Sequence, residues 1–164
     1  MKLLMKDKAP AKVMWGVVDS PAGKLAVGLT DKGEICRISF LRARRPQEAV
    51  AEWQAEWPHT LFESAKAMPK NLDGKPVMLV GTKFQQAVWK AMTQIPSGKA
   101  MGYGEVARRI GHPGAARAVG AACGANPVAY IVPCHRVVAA NGKIGGFSGG
   151  PGIKEKLLKT EGYL

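Results

Sequence analysis

Short runs of apolar, β-branched and aromatic residues dominate the beginning of the chain. The segments VMWGVV, KLAVGL and EICRISF fall within residues 13–40, and each has the length of a single strand. The segments between them, DSPAG and TDKG, contain the Pro, Gly and Asp residues that set turn geometry. The pattern therefore predicts a β-meander, followed by a helix over residues 46–57 with Pro46 near its start.

The hydrophobic pattern changes character after this helix. Residues 58–80 contain several Pro, Gly and Asn residues, which predict a loop or linker with a short strand at 77–80. The next segment, TKFQQAVWKAMTQI, predicts an amphipathic helix over residues 82–95 with Thr82 as its N-cap. The apolar side chains that recur at helical spacing in this segment are Phe84, Val88, Trp89, Met92 and Ile95.

Two further helices are predicted on either side of the glycine-containing turn GHPG. The segments are YGEVARRI, residues 103–110, and AARAVGAACGA, residues 115–125, and together they match a helix-turn-helix. The second helix consists almost entirely of small residues, and Arg117 is its only charged residue. Small residues permit close packing against another element. They also permit close approach to a nucleic-acid groove, with little reading of base sequence.

Basic residues outnumber acidic residues, and the excess is largest in the second half of the chain. The sequence has 24 Lys and Arg against 12 Asp and Glu, a net charge of +12. Residues 1–80 carry 13 and 9 of these, a balance of +4, whereas residues 81–164 carry 11 and 3, a balance of +8. Such a surface attracts polyanions, including nucleic acids, through counterion release. A basic protein with no nucleic-acid role would have the same composition.

The sequence indicates neither a membrane segment nor a metal site. No apolar run approaches the roughly 20 residues of a membrane span, and the segment MKLLMKDKAPAK is too polar for a signal peptide. The three cysteines are an odd number at irregular spacing, which favours reduced thiols. The cysteines and histidines form none of the close pairs typical of zinc ligands. We therefore expect a cytoplasmic protein without a metal.

The segment IVPCHRV places Cys134 directly beside His135. Adjacent side chains do not face each other in a helix or a strand, so a contact between them requires a bridging water or a bend, for which Pro133 is suited. One interpretation is a buried thiol beside a hydrogen-bonded histidine. The other is a nucleophile and its base, with Glu161 as the group that orients the base. The glycine-rich segment GKIGGFSGGPG then predicts a pocket-lining loop before a helix over residues 151–160.

The segments NPVAYIVPCHRVV and YGEVARRIGHPGAARAVGAACGANP resemble the O6-alkylguanine-DNA alkyltransferases, the methylated-DNA–protein-cysteine methyltransferases of DNA repair. The resemblance covers residues 82–164 almost continuously. It is looser over residues 1–80, where DSPAGKLAVGL is similar to the family's first hairpin. It implies a stand-alone, bacterial-type protein with two domains. Residues 1–78 would form an α/β supporting domain with a small antiparallel, ribonuclease-H-like sheet. Residues 79–164 would form a mainly α, winged-helix-like domain with a helix-turn-helix.

The resemblance also implies the reaction and the residues that perform it. The alkyl group of O6-alkylguanine, or less well of O4-alkylthymine, passes once and irreversibly to the protein's own cysteine, without a cofactor. The implied catalytic residues are Cys134 as the acceptor, His135 as its base through a bridging water, Glu161 as the acid that orients His135, Asn126 as the brace of the active-site turn, and Tyr103 as the proton donor to N3 of guanine.

Further residues are implied to contact the flipped base and the duplex. The backbone N–H of Ser148 would meet the O6 oxygen, Gly149 would lie beside it, and the carbonyl of Val137 would accept from the exocyclic amine. Arg117 would replace the flipped nucleotide in the stack, as a helix carrying it enters the minor groove. The other residues implied to contact DNA are Ala116, Ala118, Gly120 and Cys123, and Arg136 is a candidate phosphate contact because it belongs to the basic second half of the chain. The partner is duplex DNA with an alkylated guanine, bound by a monomer that needs no protein partner.

Two other classes of function are compatible with parts of the sequence. The helix-turn-helix and the basic charge would suit a DNA-binding or regulatory module, which would bind DNA without covalent change. The Cys-His dipeptide by itself would suit a hydrolase, which would turn over many substrate molecules, whereas the alkyltransferase stops at one.

Overall fold

The computed structural model describes residues 1–139, 144 and 152–164. The chain divides into two compact units, Met1–Gly81 and Thr82–Leu164. The division lies three residues beyond the boundary expected after residue 78, because a strand, Val77–Val80, continues the sheet of the first unit across that position.

The first unit is a six-stranded sheet with one helix. Its elements are β1 (Leu3–Lys6), β2 (Lys12–Ser20), β3 (Gly23–Thr30), β4 (Ile35–Phe40), α1 (Pro46–Glu56), β5 (Leu61–Ser64) and β6 (Val77–Val80). The strand order is β1-β6-β4-β3-β2-β5. Strands β2, β3 and β4 form the predicted antiparallel meander, which is confirmed.

The sheet is larger than the small antiparallel sheet that we expected. Strand β1 pairs in parallel with β6, β6 with β4, and β5 with β2, so that the sheet is mixed. Strands β1 and β5 have four residues each, and these are exposed or only half-buried. Short edge strands of this kind lack the alternation of buried and exposed positions by which a strand is predicted from sequence.

Helix α1 packs on the meander through Trp53. The Trp53 side chain is fully buried with Ala26, Leu41 and Ala49, and its indole Nε1 donates to Ser39 Oγ at 2.9 Å. Burial of such a ring stabilises the unit by roughly 2–3 kcal/mol. Helix α1 thus packs on the sheet through Ala49 and Trp53, its two buried residues.

The second unit is mainly helical. Its elements are α2 (Lys83–Thr93), β7 (Met101–Gly102), α3 (Tyr103–Arg109), α4 (Ala116–Gly124), a 3-10 turn (Cys134–Arg136), β8 (Val137–Val138) and α5 (Ile153–Thr160). A reciprocal capping box starts α2: Gln85 N donates to Thr82 Oγ1 at 3.1 Å, and Thr82 N donates to Gln85 Oε1 at 3.0 Å. The predicted helices and the helix-turn-helix are confirmed.

A short parallel pairing of β7 with β8 was not predicted from the sequence. Met101 is opposite Val137, and Gly102 is opposite Val138. The pairing joins the segment after the 3-10 turn to the residue before α3. In the part of the chain that the structure describes, no helix has the length and apolar character needed to cross a membrane.

Candidate active site

Asn126 holds the backbone that leads to Cys134. Its Oδ1 accepts from Val128 N at 3.0 Å, and its Nδ2 donates to Val132 O at 2.8 Å. Cys134 N donates in turn to Val132 O at 2.9 Å, at the start of the 3-10 turn. Asn126 therefore has the contacts that a brace of this turn requires, because one amide satisfies two backbone groups of the segment that leads to the turn.

The Cys134 thiol lies inside the second unit and is only 4% exposed. Burial raises the pKa of the thiol, while a hydrogen bond from Asn126 and the positive charge of Lys154 lower it in part. The net shift is upward, so little thiolate exists at neutral pH. Since the thiolate is the nucleophilic form, Cys134 requires a base to react.

His135 has the geometry of such a base. The ring is 1% exposed, and its Nε2 lies 3.1 Å from Glu161 Oε2. Because a carboxylate only accepts, Nε2 carries the proton and Nδ1 carries the lone pair. Nδ1 has no hydrogen-bond partner among the residues that the structure describes. Burial lowers the pKa of His135, and Glu161 offsets this only in part, so the ring is neutral at physiological pH.

Within residues 1–139, 144 and 152–164, the Cys134 thiol and the His135 ring do not contact each other through a hydrogen bond, as the geometry of adjacent residues predicts. The structure therefore brings Cys134, His135 and Glu161 into one site, and direct proton transfer from the thiol to the ring is not available in this arrangement.

The Arg136 guanidinium donates to acceptors inside the protein. This arrangement does not fit the prediction that Arg136 contacts a DNA phosphate. Its Nε and Nη2 donate to Glu161 at 2.9 and 2.7 Å, and its Nη1 donates to Ile95 O at 2.7 Å. The side chain is 17% exposed. A planar guanidinium in this forked arrangement has its donor groups directed at internal acceptors rather than at solvent.

Arg136 also lowers the pKa of the Glu161 carboxyl group. Burial by itself would raise the pKa of the carboxyl group, but the hydrogen bonds from Arg136 and His135 outweigh it and the net shift is downward. Glu161 thus stays ionised at neutral pH and can hold the proton of His135 Nε2 in place.

The turn between α2 and β7 packs closely against the backbone of Glu161. Gly98 has a φ of +85°, and a Cβ at this position would lie 3.0 Å from the backbone oxygen of Glu161. The sequence marks the turn by the segment PSGK, but nothing in the sequence relates this turn to a residue that lies 63 positions later, 161 minus 98. Only the folded chain places them together.

Lys154 is a site residue that the sequence analysis did not identify. It is 3% exposed, its Nζ donates to Val137 O at 2.6 Å, and Nζ lies 5.9 Å from the centroid of the Tyr103 ring. One signal was available, because Lys154 lies three and four positions before Leu157 and Leu158 and therefore on the apolar face of α5.

The Tyr103 hydroxyl remains protonated over a wide pH range. Burial raises its pKa, and the charges of the Cys123 and Cys134 thiols raise it further. Tyr103 is the first residue of α3, and a Cβ added at Gly120 would lie 3.9 Å from its ring. A protonated phenol at this position is a proton donor for a bound base.

The residues of α4 separate into an inward and an outward face. Arg117 and Ala118 are exposed, and Ala116 and Gly120 are half-buried. Cys123 was predicted to contact DNA, but its side chain is buried, with its Sγ 3.6 Å from Met92 Sδ, and it does not belong to the outward face. The helical period places Cys123 one turn beyond Val119 and beside Ala122, on the face that packs against α2.

Packing therefore explains the small residues on only one face of α4. The indole Nε1 of Trp89 donates to Ala122 O at 2.8 Å, which requires the two helices to approach closely. On the outward face the small residues leave a smooth surface with Arg117 as its charged group. Packing thus accounts for the inward face, and close approach to a nucleic-acid groove stays a prediction for the outward face.

The expected substrate contacts are only partly within the described chain. Ser148 and Gly149 lie outside the described residues. Val137 is buried, and its carbonyl already accepts from Lys154, which leaves a second lone pair for another donor. Among the residues that the structure describes, no group of three or more His, Cys, Asp or Glu side chains could hold a metal ion.

Comparison with known proteins gives relatives over nearly the whole chain. A family model described as 6-O-methylguanine DNA methyltransferase, DNA binding domain, matches residues 83–163. A methylated-DNA–protein-cysteine methyltransferase from Methanosarcina acetivorans is 38% identical over 154 residues, which cover 90% of this chain and 97% of that protein. One from Mycobacterium bovis is 59% identical over 83 residues, which cover 51% of this chain and 50% of that protein.

The fold is similar to solved structures as well. A crystal structure of Mycobacterium tuberculosis OGT in complex with DNA matches with a TM-score of 0.68 and 39% identity, over 92% of this chain and 93% of that chain. A second crystal structure, of the Mycobacterium tuberculosis O6-methylguanine methyltransferase, matches with a TM-score of 0.68 and 37% identity over the same shares. The similarity in sequence and in fold therefore includes both units.

Proposed function

This chain belongs to the methylated-DNA–protein-cysteine methyltransferase family, and from this premise we propose that Cys134 is the residue that takes the alkyl group. The protein repairs DNA by transferring the alkyl group of O6-methylguanine to its own cysteine. The observation that supports Cys134 is its place in one site with His135 and Glu161, whose Nε2 and Oε2 are 3.1 Å apart. Within the described part of the chain, neither Cys36 nor Cys123 has a histidine paired with a carboxylate beside it, and burial raises the pKa of each to about 12.

The first step is deprotonation of the thiol. Because no hydrogen bond among the described residues joins the thiol to the ring, the proton passes from Cys134 to Nδ1 of His135 through a bridging water, and Glu161 stabilises the imidazolium that forms. The carboxylate holds Nε2, so that only Nδ1 can act as the base. Arg136 keeps the pKa of Glu161 low, which prevents the carboxyl group from taking the proton itself.

The second step is displacement at the alkyl carbon. A bond forms from the Cys134 sulfur to this carbon, the bond from the carbon to O6 breaks, and the electron pair stays on the guanine. Tyr103 donates its hydroxyl proton to N3, which neutralises the guanine anion. The product is a thioether, which is a poor leaving group at carbon, so the protein reacts once. Afterwards His135 releases the proton that it took from Cys134 to solvent, and Tyr103 regains a proton from solvent.

The pocket for the flipped base lies beside the 3-10 turn in this proposal. The carbonyl of Val137 accepts from the exocyclic amine, and the backbone N–H of Ser148, next to Gly149, donates to O6. These three roles rest on the resemblance in sequence, and for Val137 the free lone pair of its carbonyl supports the role. The protein needs no cofactor in this scheme.

Damaged DNA is bound by the helix-turn-helix. The outward face of α4, with Ala116, Ala118 and Gly120 around Arg117, is smooth enough to enter a narrow minor groove. Lesions occur in any sequence, and a surface without long polar side chains reads little sequence. Arg117 fills the gap that the flipped nucleotide leaves, which offsets the loss of stacking. We further propose that the protein acts as a monomer in the cytoplasm.

Substitution of Arg117 tests the base-flipping role. We expect Arg117→Ala to slow alkyl transfer from a duplex about tenfold or more, because unstacking a base costs a few kcal/mol and Arg117 offsets part of it. Transfer from a single-stranded oligonucleotide should change far less, since its bases are already unstacked. Single-turnover rates on both substrates measure this. Arg117→Lys is the control variant, because it keeps the positive charge and lacks the planar group. Equal losses of the transfer rate on the duplex and on the single strand would assign Arg117 to phosphate binding only.

The function as a whole is tested by the mass of the protein. Incubation with an oligonucleotide that contains one O6-methylguanine should add one methyl group to each protein molecule and then stop. A DNA-binding or regulatory module would retain its mass although it binds. A Cys-His hydrolase would release product in excess of the protein without a stable mass change. Either of these results would overturn the proposal.

A further inference from the structure

Lys154 is the only lysine that is buried among the residues that the structure describes. Its exposed fraction is 3%, and it lies between Ile153 and Leu157 on the inward face of α5. Lysine is rarely buried to this extent unless its ammonium is paired, because removal from water disfavours the charged form. A buried ammonium beside a reactive thiol therefore requires an explanation that packing alone does not supply.

The contacts of Lys154 join three segments of the site. Its Nζ donates to Val137 O at 2.6 Å, in the strand that follows the 3-10 turn of Cys134. Nζ also lies 5.9 Å from the centroid of the Tyr103 ring, at the start of α3. Strand β8, which contains Val137, pairs with Met101 just before Tyr103. Lys154 thus fixes the acceptor turn relative to the proton donor.

The charge of Lys154 acts on both thiols of the site. It lowers the pKa of Cys134 and the pKa of Cys123, against the larger effect of burial. Reciprocally, burial lowers the pKa of Lys154, and the two thiols raise it. Among the residues that the structure describes, Tyr103 from α3 and Cys123 from α4 interact electrostatically with Cys134, and His135 is next to it in the chain. Each of these three groups is neutral at physiological pH.

We propose that Lys154 is a positioning residue of the transfer reaction, which holds the Val137 carbonyl in place by its hydrogen bond and supplies a buried positive charge to the site of Cys134. The charge favours the thiolate as it forms and helps to hold Tyr103 over the pocket. The proposal rests on the assignment of Cys134 as the acceptor. Lys154 does not touch the reacting atoms and acts only through Cys134, Val137 and Tyr103.

The first experiment compares Lys154→Met with Lys156→Met. Lys156 is exposed on the same helix and serves as the matched control. In Lys154→Met the ultraviolet titration of the Cys134 thiolate, taken as the difference from the same variant with Cys134→Ala, should move up by about one pKa unit. The single-turnover rate of transfer near neutral pH should then fall about tenfold. Binding to undamaged duplex DNA and all properties of Lys156→Met should match the wild type.

A merely structural role would give a different result. Lys154→Met would then unfold at a lower temperature and transfer more slowly by the same factor at every pH, with the thiolate titration unchanged. That outcome would overturn the proposal.

A second measurement leaves Lys154 in place and applies even where Lys154→Met does not fold. The Cε resonance of Lys154, labelled with carbon-13, should titrate at a lower pH in Cys134→Ala than in the wild type, because the thiolate stabilises the ammonium. Identical titrations would overturn the proposal. Neither the thiolate titration nor the carbon-13 titration requires DNA, so both are independent of alkyl transfer. Absence of transfer in the wild type would instead overturn the assignment of Cys134.

Discussion

Cys134→Ala is expected to gain no methyl group from a duplex that contains O6-methylguanine, while it still binds that duplex. The reason is that no other thiol can replace it. Cys36 is buried with its Sγ 3.5 Å from Gly28 O, Cys123 is buried against Met92, and burial raises the pKa of both to about 12. Thiols of this kind carry almost no thiolate at neutral pH. The measurement is the mass of the intact protein, followed by peptide mapping.

The two other cysteines supply the controls for this experiment. Cys36→Ala lies in the first unit and should accept one methyl group at the wild-type rate. Cys123→Ala should also accept one methyl group, although loss of its contact with Met92 lowers the stability of the second unit by about 1 kcal/mol. A methyl group that still appears on the Cys134→Ala protein would refute Cys134 as the acceptor.

Glu161→Gln is expected to slow alkyl transfer about a hundredfold and to change DNA affinity less than twofold, since general base catalysis contributes about that much to a rate. The carboxylate raises the pKa of His135, so its loss makes the ring a weaker base. An amide can also present its N–H to His135, which favours the wrong tautomer. Single-turnover kinetics and a binding titration on the same oligonucleotide measure the two effects.

The pH dependence distinguishes this role from a structural one. His135 must be neutral to accept a proton, and its pKa is below the ordinary value of about 6.5, so the wild-type rate should fall only as the pH decreases below that value. In Glu161→Gln this fall should move to still lower pH. Glu155→Gln, on the exposed side of α5, is the matched control. An unshifted profile with equal losses of transfer and binding would make Glu161 merely structural.

Stability has to be measured beside activity, because Glu161 also pairs with Arg136. The pKa of Glu161 is lower in the folded protein than in the unfolded chain, so its contribution to stability is present above the unfolded pKa and is lost as the pH falls through the folded pKa. At neutral pH Glu161→Gln should therefore lower the free energy of unfolding by about 2 kcal/mol. The transfer rates of the wild type and of Glu161→Gln should be compared at a temperature below the unfolding transition of each protein.

The elements that the sequence predicted are those with a strong local signal. Helix α2 has a cap at Thr82 and apolar residues at helical spacing, and the meander has turn residues between short apolar runs. Strands β1 and β5 were missed, because each is a short edge strand whose partner is distant in the chain. Their pairing is decided by the sheet that is already present and not by their own four residues.

The site shows the same division between local and distant information. The motif in the sequence identified Cys134, His135, Glu161 and Asn126, and backbone geometry indicated that the first two do not touch. Arg136 was assigned to DNA because a basic residue in a basic half of the chain suggests a phosphate contact. In the fold it instead donates to Glu161, which is 25 positions away.

By itself the sequence determined the family, the helices and the basic second half, and it led to the proposal of Cys134 as the acceptor, because these depend on residue identity, spacing and local propensity. Tertiary structure alone decided which charges are free and which are paired. It turned Cys123 inward, directed Arg136 to Glu161 and buried Lys154 against Val137 O. Burial and distance set the pKa of a thiol or a histidine, and both arise only when segments far apart in the chain pack together.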